Sequence, residues 1–225
     1  MLEFGRRMGA TEASAIISVN NAASRSLFER KGFNIVSRWG YYNIHLHGNK
    51  YNQISNSNRG KKIRKAAIED LDNVWDYLRC SETYHLSGET YFEAWRWYYL
   101  SYEKIVDFIK HQNIIIIEND NTIIEGVAII NFTGYWDKTE VFQIVYLDST
   151  STSKLQGLLF YCIDLYTVSL PDNKKIYDND NTRSHRPNNS NQLQIISYLT
   201  NELLEIMNNF EIIDSAQFLL YDLSL

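Results

Sequence analysis

The feature that most constrains the fold is a strand, a capped helix and a glycine that follow one another near the amino terminus. Ala15–Val19 is a short apolar run typical of a strand buried in a sheet. Asn21 predicts a helix over Ala22–Lys31, because an Asn side chain accepts the free N–H groups of a first turn. We expect Gly32 to end this helix with a positive φ, and Phe33 to pack back onto it. Such a unit places one helix against a sheet.

The same unit recurs near the carboxyl terminus. Residues 27–36 align without a gap with residues 204–213, and each segment runs from a helix end into a Phe and an apolar pair. Asn209 takes the place of the glycine, and we expect the left-handed conformation there because Asn tolerates it. A final strand is predicted after each segment at the same offset, over residues 41–46 and 218–223. The sequence therefore predicts an internal repeat.

Apolar periodicity predicts a mixed sheet with helices on both faces. Before the polar stretch 48–60, one strand is predicted over residues 34–46, broken near Trp39 and Gly40. After that stretch the predicted order is β-α-α-β-β-β-α-β-α-β. The predicted segments are strand 63–66, helix 69–79, an aromatic-rich helical region 91–110, strands 114–118, 124–132 and 141–147, helix 155–168, strand 176–177, helix 192–208 and strand 215–223.

The segment from Val19 to Phe33 resembles the closing motif of the GNAT superfamily of N-acetyltransferases. That motif is a strand, then Asn, a helix of small residues, Leu-Tyr or Leu-Phe, and Gly-Phe. The resemblance implies a GNAT-like acyl-CoA N-acyltransferase fold of the α/β class, in tandem and incomplete at its amino terminus. The strands that precede this motif in the first copy would lie upstream of Met1.

The resemblance also implies a division of the chain into domains. Residues 1–47 match the closing half of one GNAT-like copy, residues 48–60 a linker, and residues 61–225 a second, divergent copy. The opening of the second copy, Ile63 to Asp70, is similar to the family as well. Alternatively, residues 1–47 are an extension that decorates a single domain.

Acetyl-CoA is the co-substrate that the family implies, held between two parallel strands that splay apart. Its pyrophosphate lies at the start of the helix after the fourth strand, where N–H groups and the helix dipole favour an anion. The equivalent stretch here consists of Ser149, Thr150, Ser151, Thr152 and Ser153. It lacks the family's glycines and its Arg or Gln. It therefore either binds phosphate through N–H and O–H donors or only caps its helix.

Acyl transfer to an amine needs a base, and in the family this is often a Glu on the fourth strand acting through water. Glu140 matches that place, although a Glu at a strand end is often only a surface residue. The usual acid, a Tyr, is replaced by Phe28 in the first copy and Glu205 in the second. Asn21 matches a residue that contacts the pantetheine arm, or is only a helix cap. The aromatic run from Tyr91 to Tyr102 either walls the acceptor site or belongs to the core.

Composition argues against several classes of protein. The 225 residues include 22 Lys and Arg against 27 Asp and Glu, a net charge of -5, whereas nucleic-acid binders normally carry a basic excess. No apolar stretch reaches the ~18 residues that span a membrane. Cys80 and Cys162 show no disulfide or ligand spacing, which favours reduced thiols in the cytoplasm. His45 and His47 lack a third ligand in view, so no metal site is expected.

We therefore predict a cytoplasmic, acetyl-CoA-dependent N-acetyltransferase that acylates an amine of a small molecule or peptide, this chain being part of the active protein. The alternative is a non-catalytic GNAT-like module for interaction or dimerisation. Strand Ala15–Val19 would expose an apolar edge, because the fourth strand of its copy is absent. Unless the second copy covers that edge, we expect a homodimer formed through residues 1–47 and a monomer once they are removed.

Overall fold

The computed structural model describes residues 2–45, 62–93, 96–134, 140–169, 192–198, 200–210 and 212–224. The helices are α1 Leu2–Arg7, α2 Ala22–Arg30, α3 Leu71–Cys80, α4 Glu82–Leu86, α5 Tyr102–Lys110, α6 Thr152–Ser169 and α7 Asn201–Met207, and a 3₁₀ turn at Ile68–Asp70 precedes α3. The strands are β1 Glu12–Ser18, β2 Asn34–His45, β3 Lys62–Lys65, β4 Thr90–Glu93, β5 Arg96–Tyr99, β6 Ile114–Glu118, β7 Ile124–Gly134, β8 Glu140–Ser149, β9 Gln192–Tyr198 and β10 Ile212–Ser224. None of the helices in these ranges is both long enough and apolar enough to cross a membrane.

Eight of the strands form one sheet in the order β1-β10-β2-β9-β8-β7-β6-β3, and β4 and β5 form a separate hairpin. Neighbouring strands of the large sheet are antiparallel, except that β8 and β9 are parallel. The predicted mixed α/β fold is thereby confirmed. Strands from residues 12–45 and from residues 62–224 share this sheet, because β2 lies between β10 and β9.

Helices and the hairpin cover the two faces of the sheet. On one face α6 and α7 pack on the strands, and Leu158 of α6 shares a core with Ile144 of β8. On the other face α3 and α5 pack, and Val74 of α3 shares a second core with Tyr146 of β8. The β4–β5 hairpin lies on this second face, where Phe92 packs against residues of β2, β9 and β10.

The predicted repeat is present as two units, β1–α2–β2 and β9–α7–β10, that exchange their last strands. Strand β2 pairs with β9, and β10 pairs with β1. In the central pair of β2 with β10, Trp39 faces Phe218 and Tyr41 faces Ala216, on either side of Gly40. Since Tyr41 and Phe218 are equivalent residues of the repeat, the pairing has an approximate two-fold axis at Gly40.

The predicted helix end at Gly32 is confirmed. Gly32 has a φ of +88°. Its N–H donates to the Glu29 carbonyl, and the Phe33 N–H donates to the Phe28 carbonyl, which is the Schellman pattern. The rings of Phe28 and Phe33 meet edge to face, with centroids 4.9 Å apart. Local sequence alone therefore determines this turn.

The corresponding prediction at Asn209 is wrong. Asn209 is not among the residues with positive φ. Its side-chain Nδ2 instead donates to the carbonyls of Glu205 and Ile206, both at 3.3 Å. An amide side chain can thus satisfy the last carbonyls of a helix without the left-handed turn that a glycine supplies.

The region predicted as an aromatic-rich helix begins as a hairpin. Tyr91 faces Tyr98 and Phe92 faces Trp97 across β4 and β5. Aromatic residues favour such cross-strand pairs, and their packing overrides the helical spacing seen in the sequence. Helix α5 begins only after Ser101, whose side chain caps it.

Residues 192–198, predicted as the start of a helix, form strand β9. Leu193 and Ile195 are fully buried on one face, and Ile196 is buried on the other. A strand buried on both faces is a continuous apolar run, which periodicity does not distinguish from a helix. Helix α7 starts only after Thr200, which caps it. The predicted strand 176–177 lies outside the described residues.

Strand β2 continues without interruption, so the predicted break near Trp39 and Gly40 is wrong. Trp39 is completely buried and faces Phe218 on one side and Tyr198 on the other. Its indole N–H donates to Ser37 Oγ at 2.8 Å. The central place of β2 in the sheet explains this continuity, because both of its edges are paired.

Candidate functional site

Strands β8 and β9 separate soon after they pair. Of ten residues in β8 and seven in β9, only Gln143–Gln194 and the pair after it are aligned. Further along, the strands are joined by a side chain, because Ser197 Oγ donates to the Leu147 carbonyl at 3.4 Å. We call the stretch beyond Ile144 and Ile195, where the backbones of β8 and β9 are no longer paired, the β8–β9 gap. Ligands of α/β sheets commonly bind at such a place.

A β-bulge accounts for the gap. On β7, Ile129 faces Tyr146 and Ile130 faces Ile144, so Val145 is an extra residue in β8. A bulge bends its strand and increases the local twist. Here it also turns both Val145 and Tyr146 toward the core under α3. After the bulge, β8 no longer follows β9.

Residues 149–153 form the turn from β8 into α6. The Thr150 N–H donates to the Glu125 carbonyl at 2.9 Å, and Ser149 Oγ donates to the Ser151 carbonyl at 2.7 Å. The Ser151 carbonyl also accepts the Lys154 N–H, which closes the first turn of α6. First-turn N–H groups have no acceptor within their helix, and the dipole there favours an anion. Residues 149–153, for which phosphate binding is predicted, lie between the carboxyl end of β8 and the first turn of α6.

The charge of Lys154 is shared with a neighbouring carboxylate. Its Nζ lies 3.0 Å from Glu125 Oε1 and donates to Thr150 Oγ1 at 3.1 Å. Phosphate binding at this turn would therefore rely on N–H and O–H donors more than on a free ammonium.

Gly126 lets α6 approach the sheet beside this turn. It faces Ser149 across β7 and β8. A Cβ at position 126 would lie 2.8 Å from Leu158 Cδ1 and 2.8 Å from Ser149 Cβ, closer than packing allows. The position of α6 against the end of β8 thus depends on this glycine.

A buried carboxylate holds the end of β8 in place. Asp148 Oδ2 accepts hydrogen bonds from Tyr77 OH at 2.9 Å and from Ser81 Oγ at 2.6 Å. Burial, together with the negative charge of Asp148, raises the pKa of Tyr77. Tyr146 is fully buried, and burial raises its pKa as well. These contacts tie β8 to α3 and to the cap of α4.

A row of amide side chains crosses the sheet where the gap begins. Asn131, Gln143, Gln194 and Asn43 face one another in turn across β7, β8, β9 and β2. Gln143 Nε2 donates to Gln194 Oε1 at 2.7 Å, and both residues are buried. At the end of the row, Asn131 Nδ2 donates to Glu93 Oε1 of β4 at 2.7 Å.

Strand β4 crosses the gap on this face of the sheet. Tyr91 shares a core with Val145 and Tyr146 of β8, whereas Phe92 packs with Ile196 of β9. Glu93 follows on the same strand and reaches the amide row. The hairpin therefore covers the point where the two parallel strands part.

Neither the amide row nor Glu93 was predicted from the sequence. The available signal was a Gln among apolar residues in two predicted runs, Gln143 in VFQIVYL and Gln194 in QLQIISY. Both precede an Ile, and both interrupt a strand that is otherwise buried. Glu93 had no such signal, because the hairpin that carries it was predicted as helix.

Two predicted site residues lie away from the turn. Asn21 follows β1, four strands from β8 in the sheet, and its Oδ1 caps α2 by accepting the Ser24 N–H at 3.0 Å. Glu140 begins β8, roughly 10 Å along the strand before Gln143 at about 3.3 Å per residue. The structure brings residues 149–153 together at one turn but does not join Asn21 or Glu140 to them.

Comparison with solved structures identifies the architecture. The chain is similar to a GCN5-related N-acetyltransferase from Sphaerobacter thermophilus, with a TM-score of 0.57 and 10% identity over 99% of this chain and 66% of that one. It is also similar to Saccharomyces cerevisiae N-myristoyltransferase with bound myristoyl-CoA, with a TM-score of 0.52 and 11% identity over 99% of this chain and 54% of that one.

The chain thus spans just under two thirds of the first structure and about half of the second. No protein-family model matches the sequence, and no curated protein matches it. At such low identity the likeness concerns the arrangement of the backbone. In that arrangement, the chain has the GNAT fold of the GCN5-related N-acetyltransferases.

Proposed function

We propose that the chain is an acyl-CoA-dependent N-acyltransferase and that acetyl-CoA is its acyl donor. The observation that carries this proposal is the β8–β9 gap, which begins at a bulge and ends at the amino terminus of α6. Parallel strands that are no longer paired leave N–H and C=O groups that can bind the extended pantetheine arm of acyl-CoA. The amino terminus of a helix can bind the phosphates of the same molecule. The choice of acetyl as the transferred group rests on the resemblance of residues 19–33 to N-acetyltransferases.

In this proposal the turn at 149–153 binds the pyrophosphate through N–H and hydroxyl donors. The edge of β8 beyond Val145 receives the pantetheine arm. Asn21 would contact a pantetheine arm beside β1, as the resemblance implies. This role goes with a division of the chain into residues 1–47 as half of one copy, residues 48–60 as a linker and residues 61–225 as a second copy. Glu140 is one candidate for the base, as the resemblance implies, and would act through water.

The acceptor is an amine of a small molecule or peptide. We place the reaction in the cytoplasm, since Cys80 and Cys162 are both free and disulfides are rare in that compartment. A non-catalytic role is the second candidate. It is favoured by the pairing of Lys154 with Glu125, which leaves the phosphate turn without a free cation among the described residues nearby.

Isothermal titration with acetyl-CoA tests the proposal. We expect binding to the wild-type chain and weaker binding to Ser153→Glu, because that change puts a negative charge next to the phosphates. Ser26→Glu on the exposed side of α2 is the matched control and should bind as the wild type does. No heat at millimolar acetyl-CoA would reject the enzymatic role and leave the non-catalytic one.

A further inference from the structure

A cavity of about 650 Å³ opens beside the hairpin, on the face of the sheet that β4 crosses. Its lining combines aromatic, acidic and hydroxyl side chains, namely Tyr91, Glu93, Tyr98, Tyr99, Ser101, Glu103, Lys104 and Asp107. Tyr91 and Tyr98 stack with ring centroids 5.7 Å apart and form one wall. This cavity is wide open to solvent, so a small molecule bound there would keep part of its surface in water.

The lining carries a net negative charge. Lys104 is the cation among the lining residues, and its Nζ lies 3.0 Å from Asp107 Oδ2. Hydrogen bonding from Lys104 lowers the pKa of Asp107, and hydrogen bonds from its own backbone and from Ser101 lower the pKa of Glu103. Both carboxylates are therefore ionised at neutral pH. Two carboxylates, Glu93 and Glu103, remain without a cation from the lining.

Glu93 connects this cavity to the β8–β9 gap. Its Oε2 accepts a hydrogen bond from Tyr91 OH at 3.0 Å, and its Oε1 accepts one from Asn131 Nδ2 at 2.7 Å. Asn131 faces Gln143, the first of the two residues through which β8 pairs with β9. A carboxylate fixed by two donors next to the amide row is thus held between an acceptor cavity and the proposed donor.

We propose that this cavity binds the acyl acceptor as a cationic amine, and that Glu93 takes the proton from the reacting nitrogen. The proposal rests on the acyltransferase function above and names the substrate class of that site. The tyrosine rings and the carboxylate of Glu103 hold a second positive charge of the acceptor. An acceptor that carries a carboxylate in this position is repelled.

The reaction balances without a further reactant. Glu93 first takes a proton from the bound ammonium and passes it to solvent, which leaves the nitrogen with a lone pair. This lone pair attacks the thioester carbonyl carbon, the C–N bond forms, and the C–S bond breaks with its electron pair going to sulfur. A second proton, which the nitrogen loses as the amide forms, goes to the Glu93 carboxylate and then to the departing thiolate. The products are an amide and the free thiol of coenzyme A.

The first test measures amine binding without the donor, so it does not depend on the acyltransferase function. We expect 1,4-diaminobutane to bind by isothermal titration, whereas 1,4-butanediol and glutarate should not. Glu93→Gln or Glu103→Gln should lower the affinity for the diamine by about tenfold or more, because each change removes a negative charge that would accept a hydrogen bond from the ammonium group. Glu69→Gln, an exposed residue outside the cavity, is the control. Equal binding of the diol, or binding unchanged in both cavity variants, would overturn the cavity assignment.

The second test separates the role of Glu93 in the reaction from its role in binding. With acetyl-CoA and saturating 1,4-diaminobutane, Glu93→Gln should lower kcat by about a hundredfold or more and remove the acid limb of the pH profile. Acetyl-CoA binding and the melting temperature should stay unchanged. A normal pH profile in Glu93→Gln, with the acid limb lost in Glu140→Gln, would assign the base to Glu140 and refute this proposal while the acyltransferase function stands.

Discussion

The two repeated units share their topology, yet they differ in how much of their surface is buried. Helix α2 has no buried residue, whereas α7, its counterpart, buries Leu203, Ile206 and Met207. In the first unit Leu27 is 47% exposed, and its counterpart Leu204 packs against the core under α6. Local sequence gives both units the same fold, but burial requires a neighbour.

That neighbour is the strand and helix beside β9. Strand β9 has β8 and α6 next to it, and the gap that we propose as the donor site exists only because of them. Strand β1 pairs with β10 on one edge and has no strand on its other edge among the described residues. Both units therefore contribute strands to the sheet, but only the second lies beside the proposed donor site.

The largest expected effect comes from deleting residues 1–47. Their strand β2 is paired on both edges, by β9 and β10, and contains the fully buried Trp39. The position of β2 argues against a folded monomer after this deletion. We expect the shortened chain to lose its cooperative thermal transition and its near-UV circular dichroism.

Removal of residues 1–10 is the matched control for that deletion. It takes away only α1, which has no buried residue, and should preserve the transition. A cooperative melt of the chain without residues 1–47 would mean that β9 and β10 pair directly. In that case the two units would be separable domains.

The next effect concerns the carboxylate that fixes the end of β8, the strand that lies next to the second unit. Asp148→Ala leaves the hydroxyls of Tyr77 and Ser81 without their acceptor, so the free energy of unfolding should fall by about 2 kcal/mol. Urea unfolding measures it. Asp120→Ala in the exposed turn after β6 should change it by less than about 0.5 kcal/mol. Equal losses in both variants would show that the contact does not stabilise the fold.

The two helix ends offer a closer comparison of the units. Gly32 has a φ of +88°, and a Cβ there would meet only Leu223 Cδ1 at an ordinary 3.7 Å. Gly32→Val should therefore cost roughly 1–2 kcal/mol through backbone strain alone. Asn209 lacks the positive φ, so Asn209→Val should cost clearly less. Thermal melts of both variants decide this, and a larger loss at Asn209 would contradict our description of the two turns.

Short-range signals predicted much of the fold. The Asn21 cap and Gly32 both lie where sequence placed them, because each depends on residues within one turn. The turn between β6 and β7 also agrees, since Asn119 Oδ1 accepts the backbone N–H groups of Asn121 and Ile123. These contacts need no partner from elsewhere in the chain.

Features that depend on distant partners were predicted poorly. Strand β9 reads as a helix because it is buried on both faces, and the hairpin reads as a helix because its aromatic pairs form across two strands. The turn at 149–153 was located from the resemblance, yet Glu93 and the amide row were not. Their common place is set by strand register, which links residues as far apart in the chain as Asn43 and Gln194 and leaves little trace in local sequence.

The smallest effect concerns the free edge of β1. Ile16 is 43% exposed on this strand. Large apolar side chains are also exposed in the first unit, namely Phe4 on α1, Met8 just after it, and Ile35 and Val36 at the start of β2. Free edges with apolar side chains tend to pair with another chain. We expect weak, concentration-dependent dimers by light scattering and their loss in Ile16→Lys. The free energy of unfolding of the monomer should change by less than about 0.5 kcal/mol, because the site is at the surface.

Ser14→Lys, also exposed on β1, tests whether charge alone is sufficient to block the edge. A wild-type chain that stays monomeric at high concentration would show that β1 needs no partner.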